Sequence, residues 1–149
     1  MDRDVANCPF CSPQNKIILE NDLAYAVFDN FPVSNGHALI IPKRHIGNYF
    51  DLSIEEQNAC QLILNRVKEV IDKKYAPDGY NVGININSSA GQTIPHVHIH
   101  LIPRYKDDVE DPVGGVRNVI AEKGNYVKNK NLWGTSSSLG VLIGNYNTV

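Results

Sequence analysis

Three histidines alternate with apolar residues in the stretch HVHIHLI, which begins at His96. His96, His98 and His100 are three of the five histidines in this 149-residue chain, so chance is a poor explanation of the pattern. On a β-strand, alternate residues project to one face, and neighbouring same-face residues lie roughly 7 Å apart. The imidazoles can then be polar residues of a half-exposed strand, ligands of a catalytic zinc ion, or a nucleophile with its supporting groups.

A histidine nucleophile has two requirements that the neighbouring sequence can meet. One ring nitrogen must be held protonated, so that the other presents its lone pair, and donors must face the charge that develops on the attacked group. The upstream loop NSSAGQT offers Ser89, Gln92, Thr93 and the backbone N–H groups around Gly91 as such donors.

A pair of cysteines forms a second candidate site in the motif CPFC. The spacing of Cys8 and Cys11 is used by zinc sites and by redox motifs. A thioredoxin-like motif would follow a strand and open a helix, which this position does not favour. The pair supplies half of a tetrahedral zinc site, so two more ligands must come from elsewhere. Cys60, within a helical pattern, is interpreted as a small buried apolar residue.

The elements that must position these residues are several short strands and one long helix. Ser53 and Glu56 stand at capping-box spacing, which predicts a helix start. The helix continues with an apolar stripe formed by Ala59, Ile63, Val67, Val70 and Ile71. Strands are predicted at residues 16–20, 24–30, 37–42 and 80–86 and in the histidine segment. This order predicts an α+β fold with a sheet of about five strands and the helix on one face.

Composition limits the classes of protein and partner. The chain has 42% apolar and 20% charged residues and a formal net charge of −2, which fits one globular domain and makes a nucleic acid polymer a poor partner. No apolar run is long enough to span a membrane and no signal peptide is visible, so a cytoplasmic location is expected. Residues 1–106 are predicted to form the domain and residues 107–149 a C-terminal extension. Its Trp133 is a candidate for stacking or peripheral packing.

The motif HVHIHLI resembles the His-x-His-x-His pattern of the histidine triad (HIT) family of nucleotide hydrolases and transferases. The similarity extends through FDNFPVSNGHALIIPKRH and NINSSAGQTIPHVHIHLIPRY. It implies an antiparallel HIT-like sheet that pairs with a second copy into a continuous sheet, giving a homodimer. It also implies attack on the α-phosphate of adenosine or another purine nucleotide derivative, such as a diadenosine polyphosphate or a phosphoramidate, through a nucleotidyl-histidine that water hydrolyses to a nucleoside monophosphate.

The resemblance assigns roles residue by residue. His98 matches the nucleophile, and His37 and His100 match the positions that complete its network. Asp29 matches the position that binds the ribose hydroxyls, as a carboxylate with two acceptors can. The remaining positions near the phosphate or leaving group match Asn85, Gly91, Gln92 and Thr93.

Zinc-bearing HIT-like proteins resemble this chain in a further respect. Their ligand set corresponds to Cys8, Cys11, His45 and His96, which implies a structural Zn²⁺ as cofactor. Two alternatives stay open, namely a nucleotide-binding module without turnover and a metallohydrolase that uses all three triad histidines as ligands.

Overall fold

A computed structural model of the protein describes residues 3–128. The chain divides into two compact units, one up to Glu110 and one from Asp111 onward. The domain boundary after residue 106 stays a prediction, and the roles considered for Trp133 lie outside the described residues. No helix between residues 3 and 128 combines the length and the apolar character needed to cross a bilayer.

The first unit is built on one antiparallel sheet. Its strands are β1 (Ile17–Glu20), β2 (Ala24–Phe28), β3 (Ala38–Pro42), β4 (Gly79–Gly83) and β5 (Ile99–Arg104), which lie in the spatial order β1-β2-β3-β5-β4. A short helix, α1 (Arg3–Ala6), precedes the sheet, and the long helix α2 (Ile54–Tyr75) connects β3 to β4. The predicted α+β fold, with about five antiparallel strands and one long helix, is confirmed.

Helix α2 begins where its capping residues predict. The Glu56 N–H donates to Ser53 Oγ at 3.2 Å, and the Ser53 N–H donates to Glu56 Oε2 at 2.8 Å. These reciprocal bonds satisfy two backbone donors that the first turn of a helix leaves unpaired. The helix ends at Tyr75, where the next residue, Ala76, adopts a left-handed conformation with φ 46°.

The two faces of the sheet carry two different layers. Alternate residues of β2 and β3 point to opposite faces. One face buries its small and branched residues, such as Ala26 and Ile40, against the apolar stripe of α2, in which Ala59, Ile63, Val67 and Ile71 are buried and Val70 is half-buried. The other face carries a second cluster of Tyr25, Val27, Leu39 and Ile41, against which Phe10 and Ile17 pack. The catalytic candidates lie on this second face.

The histidine segment differs from its prediction. Strand β5 begins only at Ile99, so His96 and His98 precede it and are not strand residues. The reason is that the Val97 N–H donates to the carbonyl of Ile46 at 2.7 Å instead of joining the sheet. Ile99 and Leu101, inside the strand, pack in the same cluster as the buried residues of α2.

Strand β4 is also shorter than predicted. The last pair between β4 and β5 joins Gly83 to His100, and β4 ends at Gly83. The predicted strand over 80–86 is therefore wrong at its end, and Asn85 follows the strand.

The second unit contains a 3₁₀ helix (Gly115–Val119) followed by α3 (Ala121–Gly124). Arg117 Nε donates to the carbonyl of Gly124 at 3.2 Å. Asn125 Nδ2 donates to Asp111 Oδ2 at 2.7 Å. These contacts hold the turns of this unit to one another.

Candidate functional site

Four side chains from three segments converge beside the sheet. The ligand atoms of Cys8, Cys11, His45 and His96 all lie within 4.8 Å of one another. Cys8 Sγ lies 3.4 Å from His96 Nδ1, and Cys11 Sγ lies 3.2 Å from His45 Nδ1. A tetrahedral zinc ion would place sulfur and nitrogen ligands about 3.4–3.8 Å apart. The group therefore has the donor types and the spacing that suit a metal ion such as Zn²⁺.

His96 is oriented as a metal ligand requires. Its Nε2 lies 2.8 Å from the carbonyl oxygen of Pro42, which can only accept, so this nitrogen carries the proton. The lone pair is then on Nδ1, which faces Cys8 and Cys11. Burial lowers the pKa of His96, which keeps the ring neutral. A hydrogen bond to the remote nitrogen is the usual device that orients a histidine ligand.

The two cysteines of this group lie in a tight turn that follows α1. The Cys11 N–H donates to the carbonyl of Cys8 at 3.1 Å. Burial, followed by the neighbouring Cys8, raises the pKa of Cys11 to about 11. A divalent cation bound beside Cys11 would oppose this shift and favour its thiolate form.

His98 is held in the tautomer that a nucleophile needs. Its Nδ1 lies 2.8 Å from the carbonyl oxygen of His96, so Nδ1 carries the proton and donates it. The lone pair is consequently on Nε2. The residue is 8% exposed and lines an open cleft, so a small molecule in that cleft can reach the ring.

His37 and His100 form a second, directional chain of hydrogen bonds. The Val33 N–H donates to His37 Nδ1 at 3.2 Å, which assigns the His37 proton to Nε2. His37 Nε2 lies 3.0 Å from His100 Nδ1 and 3.6 Å from Asp29 Oδ2. His100 Nδ1 must accept, which leaves the His100 proton on Nε2. That nitrogen is buried and has no hydrogen-bond partner among the described residues.

The pKa values of this pair favour neutral rings. Burial lowers the pKa of His37, although the nearby Asp29 carboxylate opposes that shift. Burial is also the main cause that lowers the pKa of His100 to about 4, with the His98 and His37 rings acting in the same direction. Both rings are therefore uncharged at neutral pH, as the hydrogen-bond chain requires.

The cleft next to His98 has a volume of about 320 Å³. Apolar and polar residues both line it. Its lining residues are Pro9, Phe10, Asn15, Val27, Phe28, Asp29, Asn30, Phe31, Leu39, Thr93, Ile94, His98 and His100. An apolar slot with a few placed polar groups is typical of sites for small organic ligands.

The predicted nucleotide-binding residues divide into two groups. Asp29 and Thr93 line the cleft, whereas Asn85, Gly91 and Gln92 are not among its lining residues. The Gln92 side chain accepts from the Asn87 N–H at 2.8 Å and donates to the carbonyls of Gly47 and Ile94. Its amide therefore holds the loop that leads to the histidines. The binding roles of these five residues stay predictions.

Several residues of the site were not found from the sequence. Phe10 stands inside the CPFC motif, where the spacing of the cysteines indicates a site but a phenylalanine does not, because that residue type is common in any core. Val33 acts through its backbone N–H, which every residue except proline has, so no residue type marks it. Apolar lining residues such as Val27 and Leu39 are indistinguishable in sequence from core residues.

The three triad histidines have three different partners. His96 faces the thiols, His98 donates to a backbone carbonyl, and His100 accepts from His37. Within residues 3–128 they do not form one ligand set. Asp29, His37 and His100 do lie close enough to be considered as one ligand set. However, His37 Nδ1 accepts from the Val33 N–H, so the His37 proton is on Nε2, which is the nitrogen that would have to bind the ion.

Comparison with known proteins identifies the family. The family model of the HIT domain matches residues 12–107. The chain belongs to the HIT family. The HIT protein is 37% identical over 103 residues to the bis(5'-adenosyl)-triphosphatase of Dictyostelium discoideum. The aligned residues cover 69% of this chain and 69% of that relative. The family predicted from HVHIHLI and its flanking segments is thus confirmed.

Two solved structures share the fold of this HIT protein. A HIT family protein from Bacillus anthracis is 33% identical and superposes with a TM-score of 0.65 over 68% of this chain and 76% of that one. A zinc-bound histidine triad family protein from Mycobacterium smegmatis is 27% identical, with a TM-score of 0.65 over 72% of this chain and 81% of that one.

Proposed function

We propose that this HIT protein hydrolyses adenosine or other purine nucleotide derivatives at the α-phosphate, with His98 as the nucleophile, and releases a nucleoside monophosphate. One observation carries the proposal. The His98 Nδ1–H group is committed to the His96 carbonyl, so the lone pair is on Nε2 of a ring that lines the cleft. A neutral imidazole with a fixed tautomer is a competent nucleophile toward phosphorus without prior loss of a proton.

The cleft offers a place for each part of a nucleotide. The purine ring suits the apolar portion around Val27, Leu39 and Phe31, because flat heterocycles gain from aromatic and aliphatic contacts. The Asp29 carboxylate, which also lines the cleft, suits the ribose hydroxyls. A nucleoside held at both ends would present its α-phosphate to His98.

Two displacement steps complete the proposed reaction. In the first, the bond between His98 Nε2 and phosphorus forms, the P–O or P–N bond to the leaving group breaks, and the bonding pair departs with that group. A phosphate leaving group departs as an anion, and an amine takes up a proton from water. In the second step, water attacks phosphorus, the pair of the N–P bond returns to Nε2, and the water proton passes to solvent.

His100 has a supporting role in both steps of this proposal. Its Nε2–H is a buried donor without a partner among the described residues, and buried donors normally have one. A non-bridging phosphate oxygen is an acceptor of the right chemistry. The proton chain from Val33 through His37 keeps this donor in place, which matches the supporting role proposed for His37 and His100.

The metal group has a structural role in this proposal. Cys8, Cys11, His45 and His96 would hold Zn²⁺, and a bound zinc ion would tie the N-terminal turn to the loops that follow β3 and precede β5. No step of the reaction passes through it. The zinc-bound relative from Mycobacterium smegmatis supports zinc as the ion.

The leaving group is proposed from a relative. The Dictyostelium relative is named as acting on a dinucleoside triphosphate, so diadenosine polyphosphates are the first substrates to test. Adenosine phosphoramidate and aminoacyl adenylate share the same α-phosphate and complete the panel.

The test is turnover of that panel by the wild-type protein and by His98→Ala. Gln61→Ala, on the exposed side of α2, is the control for a substitution outside the cleft. We expect release of AMP by the wild type and the control, loss of at least about a thousandfold in His98→Ala, and a mass increase of one AMP on His98 in rapidly quenched wild-type samples. Undiminished turnover by a folded His98→Ala protein would end the proposal.

A nucleotide-binding module without turnover is the second candidate. The same cleft geometry supports binding, and a structure described as a histidine triad nucleotide-binding protein, from Sulfolobus tokodaii, is among those that match. Tight binding of AMP to the wild type with no AMP release and no covalent adduct from any substrate would favour it. A metallohydrolase that uses the triad as ligands would instead lose activity to a chelator and recover it with metal, although the three rings face different partners.

A homodimer is proposed from the same family resemblance. Strand β4 lies at the edge of the sheet, and its Val82 is 45% exposed. An unpaired edge is the place where a second copy can extend the sheet. Light scattering of Val82→Lys against the wild type tests this proposal, with a shift toward monomer expected. The cytoplasmic location and the absence of nucleic acid and membrane partners stay predictions.

A further inference from the structure

Phe10 occupies the turn between the two cysteines of the metal group. Cys11 follows it directly, and Cys8 precedes it by two residues. Its carbonyl accepts a hydrogen bond from the Tyr25 hydroxyl at 2.5 Å, and its side chain packs against the cluster of the second sheet face. The turn is thus anchored both by its cysteines and by the sheet.

The Phe10 ring lies directly against the candidate nucleophile. The centroids of the Phe10 and His98 rings are 5.1 Å apart with an angle of 55° between the planes. The His98 ring also contacts His100, with ring centroids 5.1 Å apart and an angle of 71° between the planes. Phe10 also meets His96 edge-on at 5.9 Å. Such spacings and tilts are those that ring pairs favour.

One hydrogen bond does not fix the plane of an imidazole. The bond from His98 Nδ1 to the His96 carbonyl fixes one atom of the ring, and rotation about that contact still swings Nε2 through the cleft. Neighbouring rings restrict this rotation, and Phe10 is a neighbour whose backbone is anchored independently of His98. A misplacement of about 1 Å at the attacking atom is enough to slow a displacement severely.

We propose that Phe10 is a positioning residue for the His98 imidazole, and that the flanking Cys8 and Cys11 hold its ring in place. The CPFC turn then serves two sites, because its thiols contribute to the metal group and its phenyl ring sets the aim of the nucleophile. As a statement about catalysis the inference rests on the proposed function. As a statement about the orientation of His98 it does not.

The experiment compares Phe10→Leu and Phe10→Met, which lose the ring, with Phe10→Tyr, which keeps it. Phe50→Leu is the matched control, because Phe50 is 76% exposed and outside the cleft. Each variant is assayed for metal content, for kcat and KM with a diadenosine polyphosphate, and for the ¹⁵N and ¹³C NMR signals of the His98 ring in the ligand-free protein. Cys11→Ser is added for the NMR measurement.

The proposal predicts a specific pattern. Phe10→Leu and Phe10→Met should shift the His98 ring signals and lower kcat about fivefold or more with KM changed less. Phe10→Tyr, which keeps the ring, should retain more of kcat and shift the signals less, and Phe50→Leu should behave as the wild type. Cys11→Ser should shift the same His98 signals as Phe10→Leu. A change in KM alone, unchanged His98 signals, or a Tyr variant as impaired as the Leu variant would each overturn it.

The proposal and the proposed function fail in different ways. If the wild-type protein turned over none of the nucleotides, the proposed function would be wrong, and the His98 signals of the ligand-free variants would still decide whether Phe10 orients the ring. If the Leu variant does not fold, the Met and Tyr variants carry the same comparison, because methionine fills irregular apolar space without a ring.

Discussion

The Nε2 atom of His37 lies 3.0 Å from Nδ1 of His100. At this distance one imidazole donates a hydrogen bond to the other. His37 is the donor, because its other nitrogen, Nδ1, accepts from the Val33 N–H. The consequence appears two hydrogen bonds away, where the His100 proton is left on Nε2, a buried atom without a hydrogen-bond partner among residues 3–128. A backbone amide thus determines which nitrogen of a distant side chain carries the proton.

Substitution of His37 should distinguish the effect of its hydrogen bond to His100 from the effect of the packing of its ring. His37→Ala removes the donor to His100 Nδ1, and we expect kcat to fall about 10–100-fold. His37→Gln keeps an N–H donor and should lose less. Steady-state kinetics with a diadenosine polyphosphate measures both. Equal losses in the two variants would show that packing, and not the hydrogen bond, is what His37 provides.

Stability should fall in mildly acid solution because of the buried histidines. The pKa of His100 is lowered to about 4 in the folded protein, against about 6.5 in an unfolded chain. Between these values the unfolded chain binds a proton that the folded protein does not, so unfolding becomes easier as pH falls from about 6.5 toward 4. Urea midpoints at pH 7 and pH 5 should therefore differ less in His100→Asn than in the wild type. Parallel shifts in both proteins would contradict this assignment.

Loss of a thiol ligand should remove the metal. We expect purified wild-type protein to hold one zinc ion per chain by elemental analysis, and Cys11→Ser to hold much less. Its melting temperature should also drop by several degrees, because an ion that binds only the folded state stabilises it. Cys60→Ala is the control, since Cys60 is a buried thiol of α2 outside the group. Similar zinc content in both variants would count against the site.

Asp29 should be coupled to the ribose of the substrate. Its Oδ1 already accepts from the Phe31 N–H at 2.9 Å, which fixes the carboxylate at the cleft. Asp29→Ala should raise KM about tenfold with little change in kcat. Substrates that lack the 2' or the 3' hydroxyl should lose affinity for the wild type and lose little more for the variant. Additive losses would place Asp29 away from the ribose.

Glu56 should stabilise the fold more than its exposed neighbour. Arg44 donates to both carboxylate oxygens of Glu56 at 2.7 Å, and these hydrogen bonds are the main cause that lowers the pKa of Glu56 to about 2. Glu56→Gln should reduce the free energy of unfolding by about 2 kcal/mol at pH 7, and Glu55→Gln should reduce it much less.

The pH dependence of that difference is a further check. A folded-state pKa below the unfolded value gives a contribution that is complete above about pH 4.5 and is lost as pH falls toward 2. The gap between wild type and Glu56→Gln in urea unfolding should therefore narrow below pH 4. A gap that is constant with pH would assign the effect to shape and not to charge.

Much of the fold could be predicted because its signals are local. Ser53 and Glu56, within four residues of each other, predict the start of α2. The apolar stripe from Ala59 to Ile71 predicts its buried face. The ends of β4 and β5 could not be predicted, because a strand ends where its neighbour stops bonding to it. The neighbour of Gly83 is His100, seventeen residues further along the chain.

By itself the sequence determined the family, the helix, the order of strands and the residue types gathered at the two candidate sites, because these follow from spacing and side-chain chemistry. Only the tertiary structure decided which nitrogen of each histidine carries the proton. The Pro42 carbonyl that orients His96 is 54 residues away in the chain, and the Val33 N–H that orients His37 belongs to the backbone. A tautomer depends on the partner that folding brings within 3 Å or so of a ring, and no pattern of residue types records that partner.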